Sequence, residues 1–225
     1  MISHKYKCIF IHIPKCAGTS IEAALGHLDG HTGRSGQDHR SIRMIQPITL
    51  QAFSSIENIK EILRSIKHKY SRKVLNPKNK YVVSRDQYNS YFKFTIVRNP
   101  WARAFSWYKN VMRDEIHRAK YGITGELPFT EFLKQYVGKG MLRPQLYWIK
   151  DFKGEIPLDY IGHLERLNVD FQEICKHLNI SNIALPHMMK GTGDDYRKYY
   201  DDESIEIVMA NYKEEIKLFG YTFNK

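Results

Sequence analysis

Continuous apolar runs and helical stripes alternate along this chain. Lys7-Cys-Ile-Phe-Ile-His-Ile13 is a β-branched and aromatic run that predicts a buried strand. Pro14 ends it, because proline cannot donate to a central ladder. Lys15-Cys-Ala-Gly-Thr-Ser20 then predicts a tight loop, and Ile21-Glu-Ala-Ala-Leu25 a helix. Gly26 to Arg43, rich in Gly, His, Asp and Ser, predicts a long loop. Ile56, Ile59, Leu63, Ile66 and Tyr70 recur at three- and four-residue spacing, the stripe of an amphipathic helix. Lys60, Arg64, Lys67, Lys69, Arg72 and Lys73 lie off that stripe, as a solvated face or as a rim that attracts an acidic substrate. Tyr91-Phe-Lys-Phe-Thr-Ile-Val97 predicts a second strand. Arg98-Asn-Pro-Trp101 turns the chain into a helix running through Phe105 and Ser106 toward Arg113, with Pro100 in its first turn. Asp159 to His163 predicts a third strand and Glu165 to Leu178 the helix after it. Asp201, Asp202 and Glu203 open a final helix, as the macrodipole favours, and Gly220 stops it. Strands alternating with helices predict an α/β fold with a mostly parallel sheet covered on both faces.

Of 225 residues, 42% are hydrophobic and 26% charged, a balance that supports a folded core and excludes disorder throughout. A single domain over residues 1–225 is expected. The 35 Lys and Arg against 24 Asp and Glu leave a net charge of +11, which predicts an anionic partner. Three cysteines without CxxC or Cys/His spacing support neither a disulfide framework nor a zinc site, and a reducing compartment is expected. The apolar stretch from Cys8 to Ile13 is far shorter than the roughly 20 residues of a spanning helix, and no signal-peptide pattern is present. A cytoplasmic protein without a membrane span is therefore expected.

The strand, loop and helix from Ile11 to Leu25 carry the most chemistry. A helix start presents unpaired N–H groups and a positive dipole end, which hold a phosphate. Gly18 permits close backbone approach, Thr19 and Ser20 add hydroxyls, and Lys15 adds a mobile charge. The nucleoside triphosphatase loop needs Gly-x-x-x-x-Gly-Lys-Ser/Thr. Here the lysine precedes Gly18 by three residues and no first glycine is present. A metal-dependent nucleotide kinase is thereby disfavoured. A basic nucleic-acid-binding protein using the Lys60 to Lys80 region is the other rival, but no recognised nucleic-acid module appears.

Phe10-Ile-His-Ile-Pro-Lys-Cys-Ala-Gly-Thr-Ser20 resembles the 5′-phosphosulfate loop of sulfotransferases that use 3′-phosphoadenosine 5′-phosphosulfate (PAPS). Phe94 to Tyr108 resembles their 3′-phosphate motif, an Arg-x-Pro turn with a serine eight residues after the arginine. Pro144-Gln145 before Trp148, Asp159 to Glu165, Leu185-Pro-His187 and Leu218-Phe-Gly-Tyr221 extend the likeness, leaving about residues 43–90 unmatched as a helical insertion. The likeness is nearest to carbohydrate sulfotransferases such as the heparan sulfate 2-O-sulfotransferases.

This resemblance implies a P-loop-like three-layer α/β/α fold and metal-free sulfuryl transfer from PAPS to a carbohydrate hydroxyl, leaving adenosine 3′,5′-bisphosphate. It implies that Lys15, Cys16, Ala17, Gly18, Thr19 and Ser20 hold the 5′ end of the donor and that Arg98 and Ser106 hold its 3′-phosphate. Lys190 and Tyr196 would close over the nucleotide. Lys15 would neutralise charge on the leaving phosphate. His39, in Asp38-His-Arg-Ser41, is the expected general base, unless it is an exposed loop histidine. His187 would line the site, although Met189 stands where an asparagine is common. Gln145 would contact the acceptor or else cap a helix. Arg103 suits a structural ion pair as well as a phosphate, and Trp101, Phe105 and Trp107 are expected in the core.

Overall fold

The computed structural model describes residues 1–31, 36–73, 75–181, 184–186 and 195–224. The chain divides into two units, Met1–Val97 with Leu146–Met189, and Arg98–Gln145 with Lys190–Lys225. Four strands, β1 (Ile2–Ser3), β2 (Cys8–Ile11), β3 (Phe92–Val97) and β4 (Tyr160–His163), form one sheet in that order among the described residues. β1 is antiparallel to β2, whereas β2, β3 and β4 are parallel. Among the described residues the helices are α1 (Gly18–Ala24), α2 (Ile42–Ile45), α3 (Ile56–Tyr70), α4 (Arg85–Ser90), α5 (Pro100–Arg113) and α6 (Glu115–Lys120). They continue as α7 (Phe129–Tyr136), α8 (Gln145–Ile149), α9 (Leu167–His177), α10 (Asp202–Asn211) and α11 (Lys213–Phe219).

The α/β class and the mostly parallel sheet are as the apolar pattern predicts. β2 is buried along its whole length and β3 all but its first residue, which is why β2 reads as an unbroken apolar run and β3 as a mostly apolar one. Polar groups inside the sheet are satisfied: Thr95 Oγ1 donates to the Ile11 carbonyl at 2.7 Å, and Lys93 Nζ to the Tyr91 carbonyl at 2.9 Å. The parallel register pairs Ile11 with Thr95, so the turn after β2 leaves the same sheet edge at which β3 ends. Gly162 in β4 is imposed by packing, since a Cβ there would lie 2.6 Å from Ile96 Cδ1. β1 has no counterpart in the sequence pattern, because two residues hold no periodicity.

The helix over Ile56–Tyr70 forms where expected but is rolled the other way. Its stripe faces solvent, with Ile56 and Leu63 each 59% exposed and Tyr70 74%. The inner face is largely polar. Asn58 Nδ2 donates to the Phe152 carbonyl at 2.9 Å, Ser65 Oγ donates to the Met44 carbonyl at 3.0 Å, and Glu61 accepts from Ser41 Oγ at 2.7 Å. Ile62 supplies the apolar contact, packed with Ala52 and Phe152.

In the second unit, α5 packs with α7 and α10. Trp101, Phe105 and Trp107 are buried as expected, and Phe105 meets Phe129 edge to face at 5.6 Å. The predicted final helix breaks at Tyr212 into α10 and α11, because the buried Tyr212 turns its hydroxyl to the Leu142 carbonyl at 2.5 Å. Gly220 ends α11 in the left-handed conformation (φ 67°), a geometry that costs glycine little.

Candidate active site

Beyond β2 the backbone is bent twice into the left-handed region by residues that disfavour it, at Lys15 (φ 69°) and Ala17 (φ 58°). Such conformations persist where the surrounding structure enforces them and often mark a working segment. Successive amides in this geometry converge into an anion-binding concavity. α1 begins directly after it, with Ala17 at the N-cap and no side-chain cap among the described residues. Lys15, Ala17, Thr19 and Ser20 are half-buried, while Cys16 and Gly18 are buried. Gly18 has a second reason to be glycine: a Cβ there would lie 1.9 Å from Cδ2 of the His12 ring.

His12 anchors a buried polar chain under this loop. Its Nδ1 lies 3.1 Å from Glu22 Oε1, which accepts from the Asp38 amide at 3.0 Å. His39 Nδ1 lies 3.2 Å from the His12 carbonyl oxygen, with the two rings 4.1 Å apart. A carbonyl can only accept, so Nδ1 carries the proton and Nε2 keeps the lone pair that a base requires. Burial pushes both imidazoles down to about 3, reinforced at His39 by His12, and pushes the Glu22 carboxyl up. Burial alone would raise Asp38 too, but Arg40 and the N-terminal ammonium together outweigh it and move the carboxyl the other way. Arg40 donates to Asp38 Oδ2 at 2.6 Å and to the Tyr81 carbonyl at 2.8 Å. With Ser41 tied to Glu61, His39 is held from both sides.

His39 lies on a cleft of about 540 Å³ whose walls include Arg40, Arg64, Lys67, His68 and Lys73. That size suits a ligand of several rings or fewer. Its cationic walls suit an acidic one. A second hollow, about 760 Å³, is lined by Lys7 and Phe92, next to and at the starts of β2 and β3. It therefore sits at the amino ends of the strands, opposite the edge where open α/β sheets bind ligands.

In the second unit Arg98 immediately precedes the Asn99 cap of α5. Asn99 accepts from the Trp101 and Ala102 amides at 3.0 and 3.3 Å and donates to the Thr222 carbonyl at 2.8 Å. Gln145 brackets the Arg98 backbone: its Oε1 accepts from Arg98 N at 2.9 Å and its Nε2 donates to Arg98 O at 2.8 Å. Nε2 also donates to Glu215 Oε1 at 3.0 Å. Gln145 is fully buried and its amide orients the Arg98 backbone, where the sequence reading has it contact the acceptor or else cap a helix. Arg98 and Ser106 are half-buried. Arg103 is fully buried, giving Nη2 to the Met141 and Arg143 carbonyls at 2.7 and 3.0 Å, a structural use. Tyr196 is half-buried with its hydroxyl on the Phe223 carbonyl at 2.5 Å. His187, Met189 and Lys190 lie outside the described residues.

The first unit thus brings the Lys15 loop, His12 and His39 together, and adds Glu22, Asp38, Arg40 and Glu61, which sequence reasoning missed. Their signal was faint: a single acid in Ile-Glu-Ala-Ala-Leu, and an Asp and Arg flanking His39. Among the described residues no group of three or more His, Cys, Asp or Glu side chains is placed to hold a metal ion.

Sequence comparisons point the same way. The chain is 25% identical over 261 residues to carbohydrate sulfotransferase 10 of Xenopus laevis, covering 98% of this chain and 66% of that protein. Its identity to carbohydrate sulfotransferase 10 of Rattus norvegicus is 24% over 257 residues, with coverage of 98% and 66%. Carbohydrate sulfotransferase 14 of Danio rerio is 26% identical over 167 residues, covering 61% of this chain and 46% of that protein. The chain thus spans 66% or less of these relatives' lengths. No solved structure gives a significant match. The profile of the sulfotransferase family matches residues 1–222. The chain therefore belongs to the sulfotransferase family.

Proposed function

We propose that this protein transfers a sulfuryl group from PAPS to a hydroxyl of an acidic carbohydrate. The observation that carries this reading is the doubly left-handed loop from Lys15 to Ala17 opening an uncapped helix at the carboxyl end of a central parallel strand. The family match and the names of the relatives support it. We read the sheet and this loop as the P-loop-like three-layer α/β/α arrangement, in one catalytic domain.

The donor supplies an activated sulfuryl group on a phosphate leaving group. The amides of the Lys15–Ser20 loop take the 5′ end, and the Lys15 ammonium offsets charge that accumulates on the leaving oxygen. Arg98, whose backbone is fixed by Gln145 and the Asn99 cap, offers a planar fork to the 3′-phosphate, with Ser106 two turns along α5. His39 Nε2 takes the proton of the acceptor hydroxyl as the new O–S bond forms and the S–O bond to the phosphate breaks. The proton then passes to solvent. An imidazole pushed down to about 3 stays neutral at physiological pH, and anionic substrates beside it raise its basicity toward what the step needs. Lys67 and Lys73, on the cleft wall, select acceptors bearing negative charge.

Incubation of the purified protein with labelled PAPS and a panel of acidic and neutral oligosaccharides tests this directly. Label should pass to acidic acceptors. Transfer to none, with no stabilisation by adenosine 3′,5′-bisphosphate, would overturn the assignment.

A further inference from the structure

α3 turns its apolar side to solvent, and the reason lies on its other side. Asn58, Glu61 and Ser65 bind the inner face to the body by hydrogen bonds, which leaves Ile56, Ile59, Leu63, Ile66 and Tyr70 outside. The segment before the helix adds to the same exposed apolar set: Ile48 is 54% exposed, Leu50 87% and Phe53 59%. Half of the large apolar side chains exposed among the described residues therefore belong to this one stretch. Contiguous exposure of this kind marks an interaction surface.

Charge decides between occupants. Lys60 and Lys67 fall on the helical wheel directly beside the stripe, and Arg72 and Lys73 follow its end. Among the described residues no carboxylate lies within ion-pair distance of these four cations, while Arg64 is neutralised by Glu61 at 2.8 Å. A second copy of the chain, joined through the same face, would set the same lysines against each other. An acidic glycan would meet the cations but leave the aliphatic side chains in water. An anionic lipid surface satisfies both, with the stripe in the headgroup boundary and the lysines among the phosphates.

We propose that α3, with the segment from Ile48 to Phe53, docks this protein peripherally on anionic membranes. Among the described residues no helix is long and apolar enough to cross a membrane, so α3 would lie along the surface. This inference does not depend on the proposed sulfuryl transfer, but it shares Lys67 and Lys73 with the cleft proposed to select acidic acceptors.

Cosedimentation of the full chain with phosphatidylcholine vesicles, with and without phosphatidylglycerol, tests it. Binding is expected to the anionic vesicles, to weaken with added salt, and to fall roughly tenfold or more in Leu63→Gln/Ile66→Gln. Both positions are exposed, so the variant should keep the parental melting temperature, which is measured alongside. Three results would each overturn the proposal. One is no binding to any vesicle, including the case where the parent forms a dimer that the double variant abolishes. Another is anionic-vesicle binding that the double variant leaves intact, which would be the general basicity of the chain. The third, read on immobilised heparin in parallel, is retention by heparin together with no preference for anionic over neutral vesicles.

Discussion

A β-carbon at position 18 would stand 1.9 Å from the His12 ring, so Gly18 serves packing in addition to the anion approach proposed for it. Gly18→Ala should displace His12 and with it the loop. The expected outcome is a melting temperature lowered by several degrees and loss of nucleotide-induced stabilisation, read by thermal unfolding. His39→Ala should lower turnover by about 10²- to 10⁴-fold while leaving the nucleotide-induced melting shift in place. Equal loss of both would make His39 a structural residue. The same histidines set a pH dependence. His12 and His39 titrate near 3 in the folded chain but near 6.5 when unfolded, so the unfolded chain binds more protons between those values. Stability therefore falls as pH drops below about 6.5, with His12 alone accounting for about 2 kcal/mol at pH 5. Glu22, shifted upward, runs the opposite way, while His27, shifted down by burial, adds to the histidine side. A melting temperature that stays flat between about pH 7.5 and 5 would contradict this balance.

At the scale of elements, β2 and β3 were legible because a strand buried along its length reads as a nearly continuous apolar run, and little else produces one. α3 was legible as a helix but not in its orientation. The periodic stripe defines a face; it does not say what that face meets. Here Asn58, Glu61 and Ser65 find partners on other segments, and those partners, distant in sequence, decide which side turns inward. Gln145 makes the same point. Its neighbours in sequence suggested an acceptor contact or a cap, whereas its partners are Arg98 and Glu215, 47 and 70 positions away. Gln145→Ala should release the Arg98 backbone at a cost of about 1–3 kcal/mol in stability. It should also weaken binding of adenosine 3′,5′-bisphosphate, measured by calorimetry, with Gln145→Glu restoring only part of it.

For the molecule as a whole, a net charge of +11 predicted an anionic partner, and the structure concentrates part of that charge on the cleft beside His39. Saturation with adenosine 3′,5′-bisphosphate should raise stability by about 2.7 kcal/mol at roughly 100 times its Kd, and Arg98→Ala should remove most of that gain. The alternation of strands and helices, the strand–loop–helix at Lys15 to Ser20 and the family motifs were all determined by local order along the chain. They depend on short-range sterics, hydrogen-bond chemistry and the burial of contiguous residues. Which tautomer His39 adopts, why Gly18 has no room for a side chain, and which way α3 rolls were decided only by tertiary structure. Each depends on a polar or steric partner brought close by folding, and no periodicity in the chain encodes such a meeting.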